Sequence, residues 1–150
     1  MKKLFIVILF FGLCVPVYAD DNQLETYISS FNYEARKDMK IDSKGLIKLL
    51  KEGKAQLIDI RFSEEYSAWK VGPSKSIPLN ELPNRISEID KNKIVVTACP
   101  HKDRATIAMV YLRSKGIQAK YLTDGLIGLA ENLRGDNAKD LIDTLETLKK

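Results

Sequence analysis

Short apolar runs at residues 56–60 ("QLIDI"), 93–98 ("KIVVTA") and 117–122 ("IQAKYL") alternate with longer segments whose apolar residues fall at helical spacing. That alternation, with short connections, constrains the fold most. It predicts an α/β domain with a central, mainly parallel sheet and helices on both faces. Ser43 is the expected N-cap of a helix ending at Gly53, with Leu46, Ile47, Leu49 and Leu50 on its apolar face. Ser63, followed by Glu64 and Glu65, reads as a helix start, because carboxylates favour the positive end of a helix dipole. Gly72 and Pro73 break the chain before a brief strand at 76–79, and Asn80 is expected to cap a helix toward Ile89 with Pro83 in its first turn. Residues 105–115 read as a helix closed by Gly116. A turn at Thr123-Asp124-Gly125 leads into a helix over 126–133, and a last helix starts near Ala138.

The ends of the chain carry separate signals. "MKKLFIVILFFGLCVPVYADD" has a basic start, an apolar run over 4–13, then Pro16 and Val17-Tyr18-Ala19. This is the layout of a secretory signal peptide over 1–19, cut after Ala19, which predicts a periplasmic or secreted protein with no membrane span after cleavage. The alternative is an uncleaved anchor. Cys14 is a poor lipoprotein site because Leu13 precedes it. Residues 20–40 read as an N-terminal arm or short helix, with Leu24, Tyr27, Ile28 and Phe31 at roughly helical spacing; 41–133 form the domain, and 134–150 a C-terminal helix packed on it. Without Lys2 and Lys3 the chain keeps 22 basic and 20 acidic side chains, interspersed, a balance that argues against nucleic acid as a partner.

Cleavage would leave Cys99 as the one thiol, with the single histidine, His101, two residues away. One Cys and one His cannot assemble a usual zinc site, so no metal and no cofactor is expected. Cys99 ends an expected strand, and parallel sheets bind ligands beyond the carboxyl ends of their strands. The loop "CPHKDRA" then enters a helix. Backbone N–H groups and the helix dipole there are expected to lower the thiol pKa and to favour an anion. Lys102 and Arg104 add positive charge and His101 a titratable group. Asp103 opposes them, and it is also a candidate helix N-cap. The plain alternative is a buried Cys acting as a small apolar side chain.

Cys-x-x-x-x-Arg after a strand resembles the active-site loop of rhodanese-like domains, sulfurtransferases that carry sulfane sulfur as a cysteine persulfide. "LIDIRFSEEY" (57–66), "SIPLNEL" (76–82) and "YLTDGLIGL" (121–129) are similar to further family segments in the same order, so the likeness covers about 41–133. It implies the rhodanese-like three-layer fold. By resemblance, Cys99 is the nucleophile. His101, Lys102, Asp103, Arg104 and Ala105 bind the substrate, with backbone N–H groups from His101 to Ala105 stabilising the persulfide. Asp59, Arg61 and Glu65 are supporting residues: Asp59 braces the loop and Glu65 pairs with Arg104. An ordinary strand-end salt bridge is the alternative for Asp59 and Arg61.

Protein tyrosine phosphatases, related in loop chemistry, place five residues between Cys and Arg; four stand here, which favours a persulfide over a phosphate. The resemblance therefore implies a sulfurtransferase taking sulfur from a small sulfur anion or persulfide donor and passing it to a thiol or cyanide, or to a partner protein. The alternative is a low-turnover persulfide carrier or binding module. Three departures stand out. Lys102 occupies a position where the family has Gly, so a strained positive φ is expected there. Pro100 removes one N–H from the cradle. The family's Gly-His-Ile-Pro-Gly segment is replaced by "WKVGPS" (69–74).

Overall fold

The computed structural model describes residues 22–149; the expected signal peptide lies outside them. Among the described residues the strands are β1 (Lys40–Ile41), β2 (Ala55–Asp59), β3 (Ser74–Ser76), β4 (Ile94–Ala98) and β5 (Ala119–Leu122). They form one sheet in the order β1-β5-β4-β2-β3, parallel throughout. The helices are α1 (Gln23–Ser29), α2 (Tyr33–Asp38), α3 (Ser43–Lys51), α4 (Ser63–Ala68), α5 (Leu82–Arg85), α6 (Asp103–Ser114), α7 (Gly125–Asn132) and α8 (Asp136–Thr147), with a 3₁₀ turn over Ile86–Glu88.

Alternation along the strands builds two cores, because successive side chains leave a strand on opposite faces. Ile58, Val95 and Cys99 join Leu82 of α5 and Ala105, Met109 and Leu112 of α6 on one face. Leu57, Val96 and Ala98 meet Leu46 and Leu50 of α3, Leu126 and Leu129 of α7 and Leu141 of α8 on the other. This is the expected three-layer α/β arrangement. β4 lies at its centre and delivers Cys99 to the rim where the α6 and α7 N-termini converge.

Several local expectations shift. Asp42, not Ser43, caps α3 by accepting from Gly45 N at 2.8 Å, while the Asp124 carboxylate accepts from Ser43 N at 3.1 Å. Ser43 is already the first helical residue, so its own N–H needs an acceptor from elsewhere in the fold. The brief strand is 74–76, not 76–79, and Glu81 stands at the N-cap of α5 where Asn80 was expected. Residues 20–40 hold two helices instead of one. Asp38 at the end of α2 pairs with Arg113 of α6 at 2.6 Å and with Lys120 of β5, fastening the arm to the domain. Among the described residues, no helix is long and apolar enough to cross a membrane.

Candidate active site

β4 ends at Ala98 and α6 begins at Asp103, so residues 99–102 form a tight loop. Thr97 anchors its far side, with its hydroxyl 2.8 Å from the carbonyl of Ala105 in the first turn of α6. From α7, Leu126 N donates to Cys99 O at 2.8 Å and Ile127 N to Pro100 O at 3.4 Å. Gly125 permits this approach. It sits at φ +64°, and a Cβ there would lie 2.3 Å from the carbonyl oxygens of both Pro100 and His101. Only glycine fits. Sequence reading took Gly125 as a turn residue and missed its close contact with the loop; the Asp124-Gly125 pair was the available signal.

Cys99 is fully buried. The backbone N–H groups of Ala105 and His101 favour the Cys99 anion, the direction expected of the cradle. Sγ also donates to Asp103 Oδ1 at 3.4 Å. The expected lowering of the thiol pKa does not follow from this geometry. Burial pushes the Cys99 thiol up; the Ala105 and His101 N–H groups pull it down, and the Asp103 carboxylate raises it again. Asp103 is held below its ordinary value, first by the Cys99 hydrogen bond and then by the Arg104 N–H. It does not cap α6. It is the first residue of that helix, and its carboxylate folds back toward the sulfur; Lys102 is the N-cap and its side chain makes no capping bond. The expected strain at Lys102 is also absent, since its φ is −148°. Its side chain, like those of His101 and Asp103, is exposed, whereas Ala105 is buried.

The predicted Glu65–Arg104 pair is present. Arg104 Nη1 and Nη2 donate to the two carboxylate oxygens of Glu65 at 2.6 and 2.9 Å. This bidentate clamp joins α4 to the first turn of α6. The Arg104 hydrogen bonds hold the Glu65 carboxyl down to about 2 and raise Arg104 in turn. Phe62 lies beneath the guanidinium at 5.9 Å, a contact the sequence did not suggest.

Asp59 and Arg61 form an ion pair with both side chains fully buried, Arg61 Nη2 lying 2.7 Å from Asp59 Oδ2. Asp59 thus braces Arg61, not the loop as expected, because Arg61 N, Nε and Nη2 all donate to its carboxylate. Arg61 Nη2 also donates to Trp69 O at 2.7 Å, and the Trp69 ring stacks on the guanidinium at 4.1 Å. Arg61 therefore does not reach the surface rim. The link from β2 to the loop runs through the backbone, where Ile60 N donates to Ala98 O at 3.0 Å.

A family model described as "Rhodanese-like domain" matches residues 42–144. The chain is similar to a rhodanese-like domain protein of Staphylococcus aureus at 27% identity and a TM-score of 0.55, over 60% of this chain and 89% of that one. It is similar to Bacillus anthracis CoADR-RHD at 26% identity and a TM-score of 0.57, over 63% of this chain and 17% of that one. A thiosulfate sulfurtransferase of Pseudomonas aeruginosa shares the fold at a TM-score of 0.59 and 20% identity, over 82% of this chain and 26% of that one. An HTH-type transcriptional regulator of Mycobacterium tuberculosis, Rv0324, is 26% identical over 115 residues, 75% of this chain; the chain spans about half of that protein's length, 51%. With the family model matching well over half of its residues, the chain belongs to the rhodanese-like domain family.

Proposed function

We propose that this protein is an exported sulfurtransferase that carries sulfane sulfur as a persulfide on Cys99. The observation that supports it most is the placement of Cys99 between the end of β4 and the N-terminus of the 12-residue helix α6, where the His101 and Ala105 N–H groups favour its anion. Fixed donors stabilise a persulfide anion without reorganisation. In the first half-reaction the Cys99 sulfur attacks the outer sulfur of the donor, and sulfite or a thiolate leaves with the electron pair of the broken bond. In the second, a thiol or cyanide attacks the carried sulfur and Cys99 leaves as thiolate. Arg104, held by Glu65, keeps the first turn of α6 in register with the sulfur. The signal-peptide pattern over 1–19 supports action in the periplasm or outside the cell.

A low-turnover carrier is favoured by a different observation. Cys99 is fully buried and its thiol is pushed up, so less of it is thiolate at neutral pH. One experiment distinguishes the two readings. Purified protein is incubated with thiosulfate or a persulfide, its intact mass is measured, and cyanide-dependent thiocyanate release is followed, with Cys99→Ser as control. A gain of one sulfur with steady thiocyanate release supports the enzyme, and a gain without turnover supports the carrier. An unmodified Cys99 with every donor refutes both. The cellular site is tested by fractionating cells that express the full chain.

A further inference from the structure

We propose that Asp103 sets the sulfur donor, fitting Cys99 to a persulfide of a thiol, R–S–S–H, in preference to thiosulfate. This rests on the sulfur-carrier reading above. Asp103 Oδ1 lies 3.4 Å from Cys99 Sγ and accepts its hydrogen bond. Arg104, the guanidinium of the first turn of α6, has both Nη atoms engaged by Glu65 at 2.6 and 2.9 Å. Pro100 has no N–H to give. The side chains of His101, Lys102 and Asp103 are all exposed, but of the three only Asp103 makes a side-chain hydrogen bond with Sγ. Beside the backbone N–H groups of His101 and Ala105, the charged side chain in hydrogen-bond contact with the sulfur is thus the Asp103 carboxylate, and the Arg104 cation is paired with Glu65.

Thiosulfate suits this arrangement poorly. It brings two negative charges beside the carboxylate, and like charges at contact distance repel. Its leaving group, sulfite, departs without needing a proton. A persulfide has the opposite requirements. Its terminal sulfur is electrophilic when protonated, and a neighbouring carboxylate favours that form. Its leaving group is a thiolate, which departs more readily when it can be protonated.

The atoms and charges balance. Cys99 sulfur bonds to the terminal sulfur of R–S–S–H, and the donor's S–S bond breaks with its electron pair going to R–S. As the new bond forms, the Cys99 thiol proton becomes acidic and passes along the Sγ–Oδ1 hydrogen bond to Asp103. Asp103 then delivers it to the departing R–S⁻. The products are Cys99–S–S–H and R–S–H, Asp103 is again a carboxylate, and there is no net oxidation or reduction.

The test compares wild type, Asp103→Asn and Asp103→Ser with glutathione persulfide and with thiosulfate, using cyanide as the common acceptor. Cys99→Ser supplies the uncatalysed background. We expect wild type to prefer glutathione persulfide. Both variants should lower kcat/KM for it and raise kcat/KM for thiosulfate, so that the ratio falls by at least about tenfold. A ratio unchanged in both variants overturns the proposal. Because the ratio cancels the fraction of folded protein, a destabilised variant still gives an answer. If neither donor adds sulfur to wild-type Cys99 by intact mass, the sulfur-carrier reading itself falls, which is a different result from a loaded enzyme with an unmoved ratio.

Discussion

Replacing Gly125 by alanine should damage this fold far more than the same change at Gly116, although both glycines have positive φ. Gly125 is at +64° and Gly116 at +74°, so each substitution puts a Cβ into left-handed backbone. That strain alone costs about 1–2 kcal/mol, partly offset by a stiffer unfolded chain. At Gly116 nothing lies within 4 Å of the new Cβ, so the net cost stays near 1 kcal/mol. At Gly125 the new Cβ meets two carbonyl oxygens at 2.3 Å and the Cα of His101 at 2.7 Å, all of them backbone. The loop must retreat from α7 by more than half an ångström. Doing so breaks or stretches the bonds from Leu126 N to Cys99 O and from Ile127 N to Pro100 O. Each is worth about 1 kcal/mol. The total for Gly125→Ala is then about 3–4 kcal/mol, a large part of the roughly 5–15 kcal/mol that holds a domain of this size. Urea unfolding followed by circular dichroism measures both variants against wild type. Equal midpoints for the two alanine variants would refute the close-packing account of Gly125.

Two further outcomes follow from the ion pairs. The Glu65 carboxyl ionises at about 2 in the folded chain against an ordinary 4.5, so its contribution is fully present above pH 4.5 and is lost as pH falls toward 2. Glu65→Gln should therefore be less stable than wild type at neutral pH, with urea midpoints that converge in acid; because a third of the side chain is exposed, water screens the effect and the gap is modest. Arg61→Met strands the Asp59 carboxylate in a fully buried site and should cost about 3–5 kcal/mol, whereas Asp59→Leu combined with Arg61→Met should cost much less. A double-mutant cycle in urea reads the coupling directly, and additive losses would contradict it.

The strands and helices that pack face to face were legible because burial imposes its period on the sequence. "KIVVTA" lies within one residue of β4, and the alternation around it gives the two cores. Elements set by distant partners were less legible. β1 is two residues, Lys40 and Ile41, too short for any period, and it exists because β5 pairs with it. Asp42 caps α3 by accepting from Gly45 N, and the Ser43 N–H that this leaves inside the helix is taken up by Asp124, 81 positions away. At the site, the family likeness pointed to the pairing of Arg104 with Glu65, which the structure holds. The direction of the Cys99 shift is upward and not downward, because local sequence shows the helix dipole but neither the burial of the thiol nor the Asp103 carboxylate beside it. Asp103 was read as a cap for the same reason, since its fold-back toward Sγ depends on which residue begins α6.

The peptide between Pro100 and His101 has opposite duties at its two ends. Its carbonyl accepts from Ile127 N, and its N–H favours the Cys99 anion. A flip of this one peptide would turn a carbonyl dipole toward the sulfur and orphan a helix N-terminal amide in the same movement. Both losses oppose the flip, so the anion-receiving geometry is the resting geometry. On the proposed sulfur-carrier function, a sulfur added to Cys99 would meet donors already in place, with no backbone reorganisation to wait for.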